Sequence, residues 1–482
     1  MEKKITAKTV FVSLFWKLIE RIGYQGINFT MSIILARLLS PEDYGFIAII
    51  TIFITISNVF VQSGFNAALI QKEKIDEVDL STVFYTSIII SCILYAILYL
   101  YAPYIANFYG DMQMTSVVRV LSLMLFFGAI NSIQIAKFAR EMAFQHMFYS
   151  SFGAAIFSGI LGIFLAYLNF GIWALVTQQL SYQFCFCFIS FFTTKWRPHI
   201  LFSTSRLLDL LSYGTKILLA NLLNTLFMNI RSLIIGRIYN VEILGYFERG
   251  KQFPAFIVNN IDGTIQSVMF PAYATEQGNQ NRVKEMVRRS ITISAFIIFP
   301  AMVLLVVLAD IVVRVLLTDK WLPCVPFLQI FCICFMIMPI HTANIEAIKA
   351  LGYSGIILKI EIVKKIIELL VLIISLNYGI YAVAFGAVIT SLISLPINSY
   401  PSLKIINYNY KEQIKDIIPS LALALTMGFT VHNIHFFHLS YSFILIVKIC
   451  IGTILYLLLA SIFKLESYVY LLNVLKTFIK NK

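Results

Sequence analysis

Lys17, Arg21, Tyr24 and Asn28 follow one another at intervals of four, three and four residues. In a helix that spacing puts them on one face. Two cations, a phenol and an amide are a set for holding an anion and hydroxyl groups; they are not a set for breaking a bond. Asp209, Tyr213, Lys216, Asn224 and Arg231 drift along one side of a later run in the same way. A third group opens with Glu248, Arg249, Lys251 and Gln252 and continues through Asn259, Asn260, Asp262 and Gln266. A fourth, Glu361, Lys364, Lys365 and Glu368, reads as two i,i+4 ion pairs, Glu361 with Lys365 and Lys364 with Glu368. The candidate ligand-binding residues are therefore Lys17, Arg21, Tyr24, Asn28, Lys216, Asn224, Arg231, Arg249 and Lys251. The acids Glu20, Glu248, Asp262, Glu361 and Glu368 are the candidates for coupling to an ion.

All of these groups lie in very apolar surroundings. Of 482 residues, 59% are hydrophobic and 13% charged, and the mean hydropathy is +0.84. Soluble domains hold about 45–50% apolar and about 25% charged residues, so disorder, a disulfide scaffold and an ordinary soluble enzyme are excluded. A charge at the centre of a bilayer costs about 2.5–3.5 kcal/mol on insertion scales, which makes an intramembrane cation a functional candidate. Competing readings stay open for each. Lys17 and Arg21 can snorkel to headgroups, Arg249 and Lys251 can anchor at an interface, and the Glu361–Glu368 set can be a structural ladder.

Fourteen runs are long enough to cross a bilayer, about 20 residues each: 10–39, 45–69, 80–102, 114–136, 147–168, 171–194, 207–236, 245–273, 289–309, 325–348, 356–376, 379–403, 416–436 and 440–463. They do not alternate in polarity as barrel strands do, so the expected fold is an all-α polytopic membrane protein of about fourteen transmembrane helices. No cleavable signal peptide is expected at the basic N-terminus. The net charge of +13 sorts by side. Of the 37 Lys and Arg, 23 fall at the termini and in alternate connections, and four (Arg37, Arg237, Arg314 and Lys320) fall in the opposite connections. The positive-inside rule then places both termini in the cytoplasm. The seven cysteines suggest no disulfide framework. The C-x-C pairs Cys185/Cys187 and Cys332/Cys334 read as packing residues, and His432, His435 and His438 as interfacial histidines rather than metal ligands. No metal, cofactor or catalytic residue is expected, and no nucleotide-binding G-x-x-x-x-G-K-[ST] occurs.

The chain also repeats itself. Ile34–Gly45 (ILARLLSPEDYG) matches Ile234–Gly245 (IIGRIYNVEILG) at an offset of 200, with Ile, Arg, Glu and Gly recurring at equivalent places. The expected division is a six-helix bundle at 1–200, a second at 201–405, and two appended helices with a basic tail at 406–482. Six is an even number, so the halves share one orientation about an axis along the membrane normal. Two such bundles would form a V-shaped central cavity, with the first, second, seventh and eighth spans as its walls. Cations facing it in excess of acids would favour an anionic ligand, and Arg suits phosphate in particular.

Several segments resemble Wzx-type polysaccharide transporters. They are Ala36–Gly45 (ARLLSPEDYG), Gly64–Gln71 (GFNAALIQ), Phe138–Phe144 (FAREMAF), Gly171–Val176 (GIWALV), Leu244–Arg249 (LGYFER) and Phe270–Ala272 (FPA). The resemblance runs in order through residues 10–405, and the last two helices match in hydropathy only. It implies a member of the multidrug/oligosaccharidyl-lipid/polysaccharide exporter superfamily in a bacterial cytoplasmic membrane. Its substrate would be an undecaprenyl-pyrophosphate-linked glycan, moved from inner to outer leaflet by alternating access for O-antigen, capsule or exopolysaccharide synthesis. The drive would be an ion gradient rather than ATP. The partners implied are the bilayer and a polysaccharide polymerase with its chain-length machinery, with no nucleic acid. On this reading Arg21, Lys17, Arg249, Lys216 and Arg231 meet the pyrophosphate, and Tyr and Asn residues meet sugar hydroxyls. One departure is Arg231, where relatives often carry an acid. Two alternatives are a multidrug-type exporter, for which cationic drugs would want acids, and a membrane polymerase, against which the short loops argue.

Overall fold

The computed structural model describes residues 7–72, 75–141, 143–194, 196–436 and 439–480; the side chains of Lys17, Glu20, Arg21 and Tyr213, and all of His438, lie outside the described set. The described chain is helical, as a bilayer requires, since only a helix or a closed barrel satisfies its own backbone without water. The helices are α1 (Ala7–Leu38), α2 (Pro41–Asn58), α3 (Gly64–Gln71), α4 (Glu77–Tyr109), α5 (Gln113–Leu121), α6 (Met124–Arg140), α7 (Phe144–Tyr167), α8 (Ile172–Thr193), α9 (Thr204–Ile238) and α10 (Val241–Thr275). There follow α11 (Gln280–Val307), α12 (Ala309–Leu316), α13 (Val325–Met336), α14 (Met338–Ala350), α15 (Ser354–Leu376), α16 (Ile380–Ile406), α17 (Tyr410–Asn433), α18 (Tyr441–Ile462) and α19 (Glu466–Lys480). A π-helical turn, Val59–Ser63, joins α2 to α3, and a 3₁₀ turn, Asp319–Cys324, leads into α13.

Eleven helical stretches among the described residues are long and apolar enough to span a membrane, against the fourteen expected. The three that fall short, α1, α10 and α15, have the length, at 32, 35 and 23 residues. α1 and α10 fall short in hydropathy, because they carry the charges and amides picked out above; α15 is apolar on average and falls short because it carries Lys359, Glu361, Lys364, Lys365 and Glu368. Polar spans of this kind are tolerated where protein or water, not lipid, faces the polar side. Pro254 and Pro271 sit inside α10, which nonetheless continues as one helix.

By packing, the chain forms two compact units, Met1–Gly245 and Tyr246–Lys482. In the first, α9 packs on α2, α3 and α4, and α7 packs on α1 and α8. The repeated turn has the same local structure twice. α1 ends at Leu38 and α9 at Ile238, while α2 begins at Pro41 and α10 at Val241. Ser40 caps α2 through its side chain on the Asp43 N–H, at 3.1 Å, with Asp43 returning the bond. At the equivalent turn, Asn240 Oδ1 accepts from the Ile243 N–H at 2.6 Å. The two turns meet reciprocally. A Cβ on Gly45 would lie 1.8 Å from the Val241 carbonyl oxygen, and one on Gly245 would lie 2.0 Å from that of Pro41. Gly64 and Gly214 make a second backbone approach between α3 and α9, at 2.9 Å and 2.8 Å by the same measure.

Near the start of α4 the first unit is tied by charge. Asp79 is fully buried and 2.7 Å from Lys72 Nζ, and Arg206 lies 3.2 Å from Asp76. The Asp79 backbone N–H donates to Asp76 and, helped by Arg206, holds its carboxyl below the ordinary value despite the opposing effect of burial. Arg140 donates to the carbonyls of Leu69 and Lys72 at the end of α3, and Trp196 Nε1 donates to Glu77 at 2.6 Å above a core of Phe65, Leu69, Leu80 and Ile133.

In the second unit the corresponding knot is neutral. Asn344 of α14 and Gln413 of α17 exchange both amide bonds, at 2.8 and 3.0 Å, and Ser399 and Ser402 of α16 donate to them at 3.0 and 2.6 Å. All four residues are buried. α17, expected as an appendage, is thereby bound into the unit, and it also packs along α11.

Gly45→Ala should greatly reduce the yield of folded protein in detergent, because the new methyl must displace a backbone carbonyl, whereas Gly355→Ala in α15, with nothing within 4 Å, should behave as the parent. Asn344→Leu should lower stability by about 1–3 kcal/mol for each partner left unsatisfied, read as an earlier thermal transition, with Gln413→Leu adding little once Asn344 is gone.

Candidate functional site

In the first unit the helix-1 face is only partly visible through its side chains. Tyr24 is half-buried, its ring 5.4 Å from that of Tyr182 in α8, and Asn28, one turn on, is also half-buried. Lys17, Glu20 and Arg21 lie on the same helix but their side chains are outside the described set. On α9, Lys216 and Asn224 are exposed and Arg231 is half-buried.

Beside them runs a seam of amides that a search for charge passes over. Asn58, Gln62 and Asn66 stand at four-residue intervals through the π-helical turn, and all three are half-buried. Gln62 Nε2 reaches Asn58 Oδ1 at 3.4 Å, and Ser132 of α6 donates to Asn66 Oδ1 at 2.6 Å. Asn131 donates to Gln183 of α8 at 3.2 Å, and Thr51 to Gln179 at 3.4 Å. α6 approaches through Gly128, where a Cβ would meet Asn58 Oδ1 at 2.6 Å. π-helical turns inside α-helices are frequent at functional sites. The sequence signal was present: three amides at fourfold spacing inside an apolar run.

The repeat relates this seam to the second unit. Adding 200 carries Gln62 and Asn66 to Asp262 and Gln266. The first half has an amide where the second has a carboxylate. Asp262 is 2% exposed. It accepts from Thr342 Oγ1 of α14 at 2.7 Å and from Gln266 Nε2 at 3.2 Å. The next residue to Thr342, His341, is held between two groups of α16: Asn398 Nδ2 is 2.9 Å from Nδ1 and Ser391 Oγ is 3.2 Å from Nε2. With the Asn398 amide as donor, the bonding assigns the imidazole proton to Nε2.

Arg249 is 3% exposed. Its Nη1 donates to Gln252 at 2.6 Å, and the guanidinium lies 5.1 Å from the ring centroid of Trp321, itself fully buried. Tyr246 meets the same indole edge-on at 6.0 Å. The close approach that seats the arginine comes from Gly250, where a Cβ would be 2.7 Å from that of Phe327. This is a desolvated cation–π site, worth about 2 kcal/mol or more. Lys251 pairs with Glu248 at 3.8 Å, both of them half-buried. On α15 the ion pairs include a spacing other than the expected i,i+4. Glu361 pairs with Lys364 at 2.6 Å and Lys365 with Glu368 at 3.1 Å, both at i,i+3. Both spacings bring side chains to one face of a helix, and rotamer reach selects between them.

In the second unit Arg249 and Asp262 are buried and Lys251, Glu361 and Glu368 are paired, while in the first unit Tyr24 and Asn28 lie on α1 and Lys216, Asn224 and Arg231 on α9.

Comparison with known proteins follows the same lines. A family model described as polysaccharide biosynthesis protein matches residues 34–326. The teichuronic acid biosynthesis protein TuaB of Bacillus subtilis (strain 168) is 25% identical over 379 residues, covering 77% of this chain and 78% of that protein. The succinoglycan biosynthesis transport protein ExoT of Rhizobium meliloti (strain 1021) is 21% identical over 357 residues, 74% and 72% of the two chains. The lipopolysaccharide biosynthesis protein WzxC of Escherichia coli (strain K12) is 19% identical over 429 residues, 86% of each. Among solved structures, the lipid II flippase MurJ in an inward closed conformation superposes with a TM-score of 0.73 at 16% identity, covering 94% of this chain and 98% of that one. An inward-facing MATE transporter of the MOP superfamily gives 0.60 at 15% identity, covering 82% and 98%. The all-α multi-pass fold shared with these structures, and a family match over more than half of its length, establish that this chain belongs to the polysaccharide biosynthesis protein family.

Proposed function

We propose that the protein is a flippase that carries undecaprenyl-pyrophosphate-linked oligosaccharide units from the inner to the outer leaflet by alternating access, without enzymatic chemistry. The observation that carries this reading is that, in a chain of this family, apolar helices carry polar faces: Tyr24 and Asn28 on α1, Lys216, Asn224 and Arg231 on α9, Arg249 and Asp262 on α10, and the amide seam of α2 and α3. An anionic, sugar-bearing headgroup needs such a strip, and its prenyl chain needs the surrounding apolar surface.

The roles divide by chemistry. Lys17, Arg21, Lys216 and Arg231 are assigned to the pyrophosphate. Tyr24, Asn28 and Asn224 are assigned to sugar hydroxyls, and Asn58, Gln62 and Asn66 join them as neutral amides able both to donate and to accept. Arg249 is held over Trp321 in this conformation, so any contact with the headgroup requires it to leave the indole; Lys251 is the more available cation of that pair. Asp262 is assigned to ion coupling. Asp262 is buried, and its carboxylate accepts from the Thr342 hydroxyl and the Gln266 amide. The division 1–200, 201–405 and 406–482 is proposed as the repeat structure of the gene product, distinct from the packing units. The excess of basic residues at alternate connections supports cytoplasmic termini, and a polymerase with its chain-length machinery is the proposed downstream partner.

In a host deprived of its own flippase and supplied with the cognate glycan pathway, Arg21→Ala should reduce surface glycan by about ten- to a hundredfold, the loss of one charge-assisted contact of about 1.5–3 kcal/mol, with membrane insertion unchanged. Normal display in both Arg21→Ala and Lys17→Ala would sink the assignment of the pyrophosphate to α1. Asp262→Asn should stop transport while Asp262→Glu retains part of it, and Glu368→Gln should have a smaller effect than either; measurement is by glycan staining at matched protein levels.

A further inference from the structure

α19 follows the last apolar helix and packs on α11 and α18. Between α11 and α19 lies a cavity of about 440 Å³, with Arg289, Thr292, Lys464, Glu466, Tyr470 and Asn473 among its lining residues. Its charges are not balanced. The one carboxylate in the lining, Glu466, is already engaged: its two oxygens accept from Arg288 Nη1 and Nη2 at 3.3 and 2.7 Å. The same Arg288 reaches Asp416 of α17 at 3.1 Å. Of the other acids of this face, Glu412 is taken by Lys284 at 2.9 Å and Glu276 by Arg282 at 3.3 Å. Glu285, one turn before Arg289, lines the adjoining cavity with Glu276, Arg282 and Arg289 itself.

Arg289 and Lys464 remain. Both are exposed, and among the described residues neither side chain has an ion pair or hydrogen bond. The Arg289 guanidinium is held 5.3 Å from the centroid of the Tyr470 ring, a contact that orients the plane without consuming its N–H donors. Lys464 occupies a left-handed backbone position, φ +49°, at the end of α18, where the Leu465 N–H closes on the Ala460 carbonyl at 3.0 Å. Glycine is the residue this kind of helix end favours, so the turn by itself does not call for a lysine. α19 carries Lys476, Lys480 and Lys482 at or beyond its end and apolar residues such as Val469, Leu471 and Leu472 along its length, the composition of a basic amphipathic helix lying in a membrane interface.

We propose that this cavity is a binding site for a phosphate-ester anion, with the Arg289 fork and the Lys464 ammonium as its charged ligands and the Asn473 amide as a hydrogen-bonding neighbour. A planar fork beside a point charge matches the three acceptor oxygens of a phosphate group. Two sources share that chemistry, an anionic lipid headgroup at the interface and a soluble phosphate. The site is separate from the transport residues and does not depend on the proposed substrate.

The test uses the full-length protein. In one arm it is reconstituted in nanodiscs with phosphatidylglycerol as a minor component of phosphatidylcholine, and the lipid retained is read by native mass spectrometry. In the other, the detergent-solubilised protein is titrated with inorganic phosphate by calorimetry. Arg289→Gln/Lys464→Gln should weaken retention by about thirtyfold, two interfacial cations' worth, while Lys411→Gln/Lys415→Gln changes it little. Lys464→Gly supplies the control for folding: it suits the left-handed turn, should melt no lower than the parent, and should still lose about fivefold in binding. Dependence on Arg289 and Lys464 in the lipid arm supports the site and makes the ligand a headgroup; the same dependence in the phosphate arm supports it and makes the ligand soluble. Equal losses from both double variants, or no loss from either in both arms, overturns it.

Discussion

A hydrocarbon environment supplies no hydrogen bonds, so each polar group inside it must find its partner within the protein. That constraint orders the rest of this structure. It makes the backbone helical, and it binds helices together where polar side chains cannot be left in lipid. The second unit shows this most directly, in the exchange between Asn344 and Gln413 and the two serines that complete it. The first unit solves the same problem with charge at the edge of the apolar zone, through Asp79, Lys72, Asp76 and Arg206.

Small residues complement polar ones. With lipid as apolar as the side chains, helices associate through close packing, and glycine permits the closest. Gly45 and Gly245 stand 200 residues apart in matching sequence, and each abuts the carbonyl of the residue four before the other, a reciprocal contact. The two helix ends that meet there are capped alike, by Ser40 and Asn240.

The halves have nonetheless diverged in chemistry. At the positions of Gln62 and Asn66 the second half has Asp262 and Gln266. A neutral amide can bond a passing hydroxyl without changing state, whereas a carboxylate can also take a proton or a cation. Arg249 shows a different use of a cation: paired with Gln252 and laid over Trp321, it is part of the packing of its unit in this conformation.

The number of long helices, their apolar runs and the repeated turn were determined by the sequence alone, because hydropathy and spacing are local properties that survive without coordinates. The polar character of α1, α10 and α15 was legible too, and it is what separates them from the eleven apolar spans. Tertiary structure decided which polar residue meets which. Nothing in the sequence around Arg249 names Trp321, more than seventy positions away, and nothing around Asn344 names Gln413. On α15 the four residues read as i,i+4 pairs also pair at i,i+3, since both spacings share a face and side-chain packing sets the geometry. The amides of α2 and α3 were missed for a related reason: a neutral residue in an apolar run carries little weight until its neighbours across the helix interface, Ser132 and Gln183 among them, are seen to be polar as well.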